Sequence, residues 1–100
     1  VKYVSKTSDY SVAATDYIVG VNTSGGPVTA SLPAAATAGA GRLLIVKDIG
    51  GFASASDKAV VIEPNGSEKI DGADVVKIIA SSGSVSLFGD GSNWYVNGVS

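Results

Sequence analysis

The chain contains no cysteine, no histidine and no methionine. Without cysteine, neither a disulfide framework nor a thiolate zinc site stabilises the fold. Without histidine, the usual base of a nucleophilic catalytic triad is missing. The longest apolar runs are only about four to six residues, against the roughly 20 that a membrane-spanning helix requires. We therefore expect no membrane insertion.

Charged residues are also scarce. They make up 16% of the 100 residues, whereas 45% are hydrophobic, and an ordinary soluble domain has roughly 25% charged residues. A surface built from Ser, Thr, Asn, Gly and Ala offers little electrostatic repulsion to close neighbours, which suits an extracellular or assembled protein. The net charge of −2 and the lack of a Lys/Arg cluster argue against nucleic acid as a partner.

Apolar and polar side chains alternate along most of the chain, and Gly, Asn, Asp and Ser turn signals interrupt the alternation. The predicted strands are 11–13, 17–22, 28–32, 42–48, 59–63, 75–80, 85–88 and 94–97. This spacing predicts a single all-β domain, an antiparallel β-sandwich of jelly-roll type. The alanine-rich segment 33–41 is predicted to be a loop with at most one helical turn. The turn signals have no fixed period, which argues against a solenoid.

The clearest local prediction is a β-hairpin over residues 84–98 with a Gly-Asp-Gly-Ser turn. Trp94, the only tryptophan, is followed directly by Tyr95. Because adjacent side chains on a strand point to opposite faces, one of the two belongs to the core and the other faces outward. We predict that Trp94 is the core anchor and that Tyr95 lies on the outer or subunit-facing side.

Several predicted strands are apolar at consecutive positions, most clearly at 43–46 and 60–62. Both faces of such strands should be covered. The second cover is either the loop 33–41 or a neighbouring subunit, although central strands of small domains are often apolar on both sides without a partner. The residues predicted to form a subunit interface are Leu44, Val46, Val61, Ile79 and Tyr95.

The acidic residues are the candidates for catalysis and metal binding. Glu68, Asp71 and Asp74 contain the type of carboxylate pair that glycosidases use, but Asp71 precedes a glycine in a turn, where carboxylates usually bond to their own backbone. A calcium site at Asp71 and Asp74, or at Asp48 and Asp57, would need about six to eight converging oxygens, and no EF-hand-like loop is present. We predict no catalytic residue, no metal and no cofactor, and hence no enzyme.

The tyrosines are better candidates for a binding role. Tyr3, Tyr10 and Tyr17 crowd the N-terminal segment. Exposed tyrosine rings are good stacking platforms for sugars, and core or interface packing is the other interpretation of each. These three residues are the predicted glycan contacts.

Four segments together carry a resemblance to a known class of protein. They read Val-Asn-Thr-Ser-Gly-Gly-Pro-Val-Thr-Ala-Ser-Leu-Pro (21–33), Ala-Gly-Ala-Gly-Arg-Leu-Leu-Ile-Val-Lys-Asp (38–48), Pro-Asn-Gly-Ser-Glu-Lys-Ile-Asp-Gly (64–72) and Gly-Asp-Gly-Ser-Asn-Trp-Tyr (89–95). Over about residues 10–97 the order of these segments resembles a β-rich module of tailed-phage tail fibres, tailspikes and related virion appendages. The segments are turn-and-strand patterns and carry no active site onto this chain.

The resemblance implies that residues 1–100 are a C-terminal or excised module of a longer virion protein. It implies a structural role in a tail fibre, spike or capsid-surface fibre, in which the module forms a homotrimer and contacts the host receptor. The location would be the virion surface, extracellular during function, and the further partners a cell-surface glycan or other virion proteins. The alternative is a monomeric carbohydrate-binding module, which would leave the doubly apolar strands uncovered.

Overall fold

The computed structural model describes residues 2–100, and strands dominate it. The strands are β1 (Tyr3–Lys6), β2 (Tyr10–Ser11), β3 (Ile18–Val21), β4 (Val28–Ser31), β5 (Leu43–Asp48), β6 (Val60–Glu63), β7 (Val76–Ile78), β8 (Ser84–Gly89) and β9 (Trp94–Val99). Between β4 and β5 lies one helical turn, α1 (Ala35–Ala38). The all-β prediction and the single helical turn in segment 33–41 are confirmed, and β1 is a strand that the alternation pattern missed.

The strands form two mixed sheets. One has five strands in the order β1-β3-β5-β8-β9, and the other has four in the order β2-β4-β6-β7. The pairs β1–β3, β3–β5, β2–β4 and β4–β6 are parallel. The pairs β5–β8, β6–β7 and β8–β9 are antiparallel. The predicted antiparallel arrangement is therefore wrong for four of the seven pairs.

The parallel pairs arise because the first six strands alternate between the two sheets. The chain follows a short coil of three windings. Each winding adds one strand to the five-stranded sheet and the next strand to the four-stranded sheet. The turns differ in length, since Tyr3 pairs with Ile18 whereas Ile18 pairs with Ile45. A coil with unequal turns leaves no fixed sequence period, which explains why no repeat was visible.

The two sheets share one hydrophobic core. Its fully buried members from the five-stranded sheet include Val19, Leu44 and Leu87, and those from the four-stranded sheet include Val60 and Ile62. In strands β5 and β8 the buried positions alternate strictly with more exposed ones, as half-buried sheets require. The burial of these side chains removes apolar surface from water and is the main stabilising contribution to the fold.

The predicted C-terminal hairpin is present as β8 and β9. Trp94 is fully buried, and its indole Nε1 donates a hydrogen bond to the carbonyl oxygen of Pro33 at 3.2 Å. The carboxylate of Asp90 accepts backbone N–H bonds from Ser92 and Asn93, each at 2.8 Å, which closes the turn between the strands. The prediction that Trp94 is a core anchor is confirmed, and its indole also fastens the hairpin to the loop before α1.

Two carboxylates are buried, and the backbone supplies all the hydrogen-bond donors found at the first of them, Asp48. Asp48 accepts N–H bonds from Gly51 at 3.1 Å, Ala53 at 3.0 Å and Ser82 at 3.0 Å. Burial by itself would raise the pKa of Asp48, but these donors more than offset it, so the pKa lies below the ordinary value. Asp48 therefore ties the loop after β5 to the turn before β8.

Asp16 has a similar role near the N-terminal end of β3. Its Oδ2 accepts hydrogen bonds from the Tyr10 hydroxyl and from the Ala13 N–H, and its Oδ1 lies 3.4 Å from the ammonium of Lys2. Burial acts to raise the pKa of Asp16, whereas the Tyr10, Ala13 and Lys2 donors lower it below its usual range. The carboxylate is thus held ionised beneath the surface.

Candidate functional site

The outward side of the five-stranded sheet has two apolar cross-strand rows beside polar positions that include Lys47, Ser84 and Ser86. One cross-strand row consists of Tyr3, Ile18 and Ile45, which are direct register partners. A second row consists of Leu43, Phe88 and Tyr95, again in direct register. We call these six residues the outer face. They alternate along their strands with core residues, so their side chains point away from the core.

The outer face is only partly covered by the rest of the described chain. Tyr3 is 54% exposed and Leu43 is 43% exposed, while the other four members are half-buried. The rings of Phe88 and Tyr95 stack with their centroids 5.4 Å apart. Monomeric soluble proteins rarely expose contiguous apolar surface of this kind without a use for it.

Beside the outer face, a glycine permits close packing of two further apolar groups. A Cβ atom on Gly20 would lie 2.8 Å from the Tyr3 hydroxyl and 2.9 Å from Cγ2 of Ile49. Ile49 is itself 45% exposed. The missing side chain at Gly20 therefore lets Tyr3 and Ile49 lean over the sheet and extend the apolar surface.

The five predicted interface residues lie in three different places. Leu44 and Val46 are 1% and 0% exposed and lie in the core of their own chain. The interface prediction therefore fails for these two, because no surface of either is left for a second subunit. Tyr95 is on the outer face, which confirms the predicted outward side, and its contact with a second subunit stays a prediction.

Val61 and Ile79 lie on the other side of the molecule. Together with Lys77 and the loop at 53–57 they line a groove of about 550 Å³ on the outward side of the four-stranded sheet. Ile79 is 68% exposed and Val61 is half-buried. These two residues are accessible to a partner, but they do not share a surface with Tyr95.

A second cleft opens at the end of the five-stranded sheet where β1, β3 and β5 begin. It has a volume of about 530 Å³, and its lining includes Lys2, Thr15, Tyr17, Arg42 and Leu43. We call it the end cleft. The Arg42 guanidinium carbon lies 5.9 Å from the centroid of the Tyr17 ring, within the range of a cation–π contact. None of the residues that line it is acidic.

The three predicted glycan contacts lie in different surroundings. Tyr17 lines the end cleft, and Tyr3 belongs to the outer face. Tyr10 packs against the core and donates its hydroxyl hydrogen bond to Asp16, while the Lys6 ammonium lies 4.4 Å from its ring centroid. Tyr10 therefore offers no free ring face, and the glycan-contact prediction does not hold for it.

The acidic candidates have structural partners. Glu68 accepts the Ala35 N–H at the start of α1, Asp74 pairs with Lys69, and Asp71 has the left-handed φ of 50° in a turn. Within residues 2–100, no group of three or more metal-ligating side chains converges. Asp71 lies in a turn, as predicted, but its Oδ2 accepts a hydrogen bond from the Val96 N–H of β9 at 3.3 Å instead of one from its own turn.

Sequence reasoning missed Ile18, Ile45 and Phe88 on the outer face and Arg42 and Lys2 in the end cleft. The signal for the first three was present, because each alternates with a residue that proved to be buried. The end cleft joins segments far apart in the chain, and no local pattern marks it.

No described helix has the length and apolar character needed to cross a membrane. A comparison with models of known protein families gives no match, and no curated protein is similar enough to be matched.

Proposed function

We propose that this chain is a structural module of a phage virion appendage, such as a tail fibre, spike or capsid-surface fibre, and that it forms a homotrimer through its outer face. The observation that carries the proposal is the continuous apolar surface formed by the two cross-strand rows of the outer face. Its location would be the virion surface, and its second role would be contact with the host receptor. The family assignment rests on the turn-and-strand segments that resemble such modules.

The physical basis is the burial of apolar side chains between copies. Complete burial of a Leu, Ile or Phe side chain contributes about 1.5–3 kcal/mol, and several side chains of the outer face are repeated in every copy. None of the six residues of the outer face is charged, so their burial incurs no charge desolvation; the nearest charge on the same side of β5 is Lys47, at the edge of the two rows. Assembly of this kind makes the stability of the fold depend on protomer concentration.

The test is the mass in solution, measured by light scattering coupled to size exclusion over a roughly hundredfold concentration range. A mass near three times the 9.9 kDa of one chain is the expected result. Ile45→Asp places a charge in the centre of the outer face and should give the monomer. Ile79→Asp makes the same chemical change on the groove of the other sheet and should leave the trimer intact.

Two results would contradict the proposal. A wild-type monomer throughout the concentration range would exclude association. A trimer that survives Ile45→Asp but dissociates in Ile79→Asp would move the interface to the four-stranded sheet. Circular dichroism of each variant verifies that the monomeric protein is folded.

The alternative, a monomeric carbohydrate-binding module, is favoured by the end cleft, because Tyr17 and two cations line it. Under this alternative the wild-type protein binds a glycan while it stays monomeric at micromolar concentration. The same mass measurement, repeated in the presence of glycan, distinguishes the two functions.

A further inference from the structure

The end cleft has unused hydrogen-bond donors on two cations. Nε and Nη2 of Arg42 donate to the carbonyl oxygen of Ala14, at 3.2 and 3.0 Å, and Nη1 donates to the carbonyl oxygen of Leu43. Because a guanidinium has five N–H groups, two remain free. The Lys2 ammonium has three donors, and only its side toward Asp16 is engaged.

The contacts of Arg42 also fix its position. The paired bonds to Ala14 hold the guanidinium plane, and the guanidinium lies over one face of the Tyr17 ring, so a sugar would contact the edge or the other face of that ring. A cation that is already ordered loses little side-chain entropy when it binds a ligand. Arg42 therefore presents a guanidinium that is already positioned to bind a planar anion. Lys2 has an exposed side chain and adds a second, mobile positive charge.

The charge of the end cleft limits the ligand. Lys2 and Arg42 supply two positive charges, and the ionised Asp16 lies 3.4 Å from the Lys2 ammonium. The sum over these three groups is one positive charge, which matches a monoanion such as a carboxylate better than a dianionic phosphate. The buried Asp16 cannot itself be reached by the ligand.

The remaining lining suits a sugar ring. Tyr17 and Leu43 present apolar surface, and the exposed Thr15 presents a hydroxyl. An aromatic edge or face beside a few polar groups is a common arrangement in sites for small polar molecules. The end cleft is shallow and open to solvent over most of its extent, so a bound sugar would lie against one wall and keep much of its surface in water.

We infer that the end cleft binds an acidic saccharide, with the sugar carboxylate on Arg42 and Lys2 and the ring against Tyr17. This inference rests on the receptor-contact part of the proposed function and names the chemistry of the receptor: a uronic-acid-type glycan. It does not depend on trimer formation, because only Leu43 is shared by the end cleft and the outer face.

The direct experiment is a titration of the isotopically labelled chain with a trimer of galacturonic acid, followed through backbone amide shifts. We expect saturable shifts at Thr15, Tyr17 and Gly41. The methyl ester of the same trimer keeps the shape and loses the charge, so it should bind at least roughly tenfold more weakly. Added salt should weaken the binding of the acid and leave the affinity for the ester unchanged.

Two variants and a matched control test the assignment of residues. Thr15→Asp adds a negative charge to the lining and should reduce affinity roughly tenfold or more, and Lys2→Gln should reduce it about threefold. Ser67→Asp makes the same charge change on an exposed turn outside the end cleft and should bind as the wild type does.

The inference is overturned if the acid and the ester bind equally, if no shifts occur at the three amides, or if Thr15→Asp binds normally. Equal or tighter binding of triglutamate would replace the saccharide with an acidic peptide and would also overturn it. Ile45→Asp is expected to bind the trisaccharide with unchanged affinity. A failure of trimer assembly would therefore leave this result standing, and a failure of binding would leave the trimer proposal standing.

Discussion

Replacement of the buried carboxylate in Asp48→Ala should strongly destabilise the fold. Asp48 is 0% exposed and accepts three backbone N–H bonds. The variant leaves all three donors without their acceptor. The loop after β5 and the turn before β8 then lose the group that joins them.

The size of the effect follows from the surroundings of each donor. The bond from the Ala53 N–H is buried, and a buried donor left unpaired costs about 1–3 kcal/mol. The Gly51 and Ser82 donors are only part-buried, so water replaces the carboxylate and each loss costs about 0.5–1.5 kcal/mol. The total is about 4 kcal/mol, a large part of the roughly 5–15 kcal/mol that stabilises a typical domain.

Urea unfolding measures this loss directly, provided that the m-value of the variant stays close to that of the wild type. Hydrogen exchange at the Ala53 and Ser82 amides should accelerate in the folded state. Asp9→Ala is the control, because Asp9 accepts one exposed N–H bond, from Thr29 at 2.8 Å, and should cost less than about 1 kcal/mol. If Asp48→Ala costs no more than this control, the reasoning about the buried donors is refuted.

The remaining predictions concern pH and the core. The pKa values of Asp48 and Asp16 are lower in the folded chain than their ordinary values, so the unfolded chain takes up these protons first as the pH falls. Their contribution to stability is complete above about pH 5 and declines below about pH 4. Thermal unfolding measured from about pH 7 to pH 3 should show a falling unfolding temperature. If the unfolding temperature of Asp48→Ala falls as steeply as that of the wild type, the assignment of this decline to Asp48 is contradicted. Val46→Asp puts an unpaired charge in the core and should unfold the domain rather than release folded monomers. The expected sign is the loss of near-ultraviolet circular dichroism. A folded, soluble Val46→Asp monomer would contradict the burial argument.

The sequence was informative wherever structure depends on neighbouring residues. Alternation located most of the strands, the Gly-Asp-Gly-Ser turn located the C-terminal hairpin, and adjacency assigned Trp94 and Tyr95 to opposite sides. Each of these predictions uses side-chain periodicity or turn chemistry, both of which are local.

Strand partnership was not predictable in the same way. Alternation gives the same pattern for parallel and antiparallel strands, and nothing local revealed that β3 pairs with β5 while the intervening β4 joins the other sheet. The same limit explains why the interface prediction was wrong for Leu44 and Val46. The apolar run from Leu43 to Val46 indicates cover on both sides, but only the partner strands show that the chain covers Leu44 and Val46 itself and leaves Leu43 and Ile45 outside.

The alternation of strands between sheets has a consequence for the order of folding. Only β6–β7 and β8–β9 pair strands that are consecutive in the chain, and only β8–β9 does so across a tight turn. Every other pair must close a long loop first, which slows folding into the range of milliseconds to seconds. We expect the hairpin of β8 and β9 to form early and to pair with β5, so a nascent chain would keep most of its earlier strands unpaired until β8 and β9 have been synthesised.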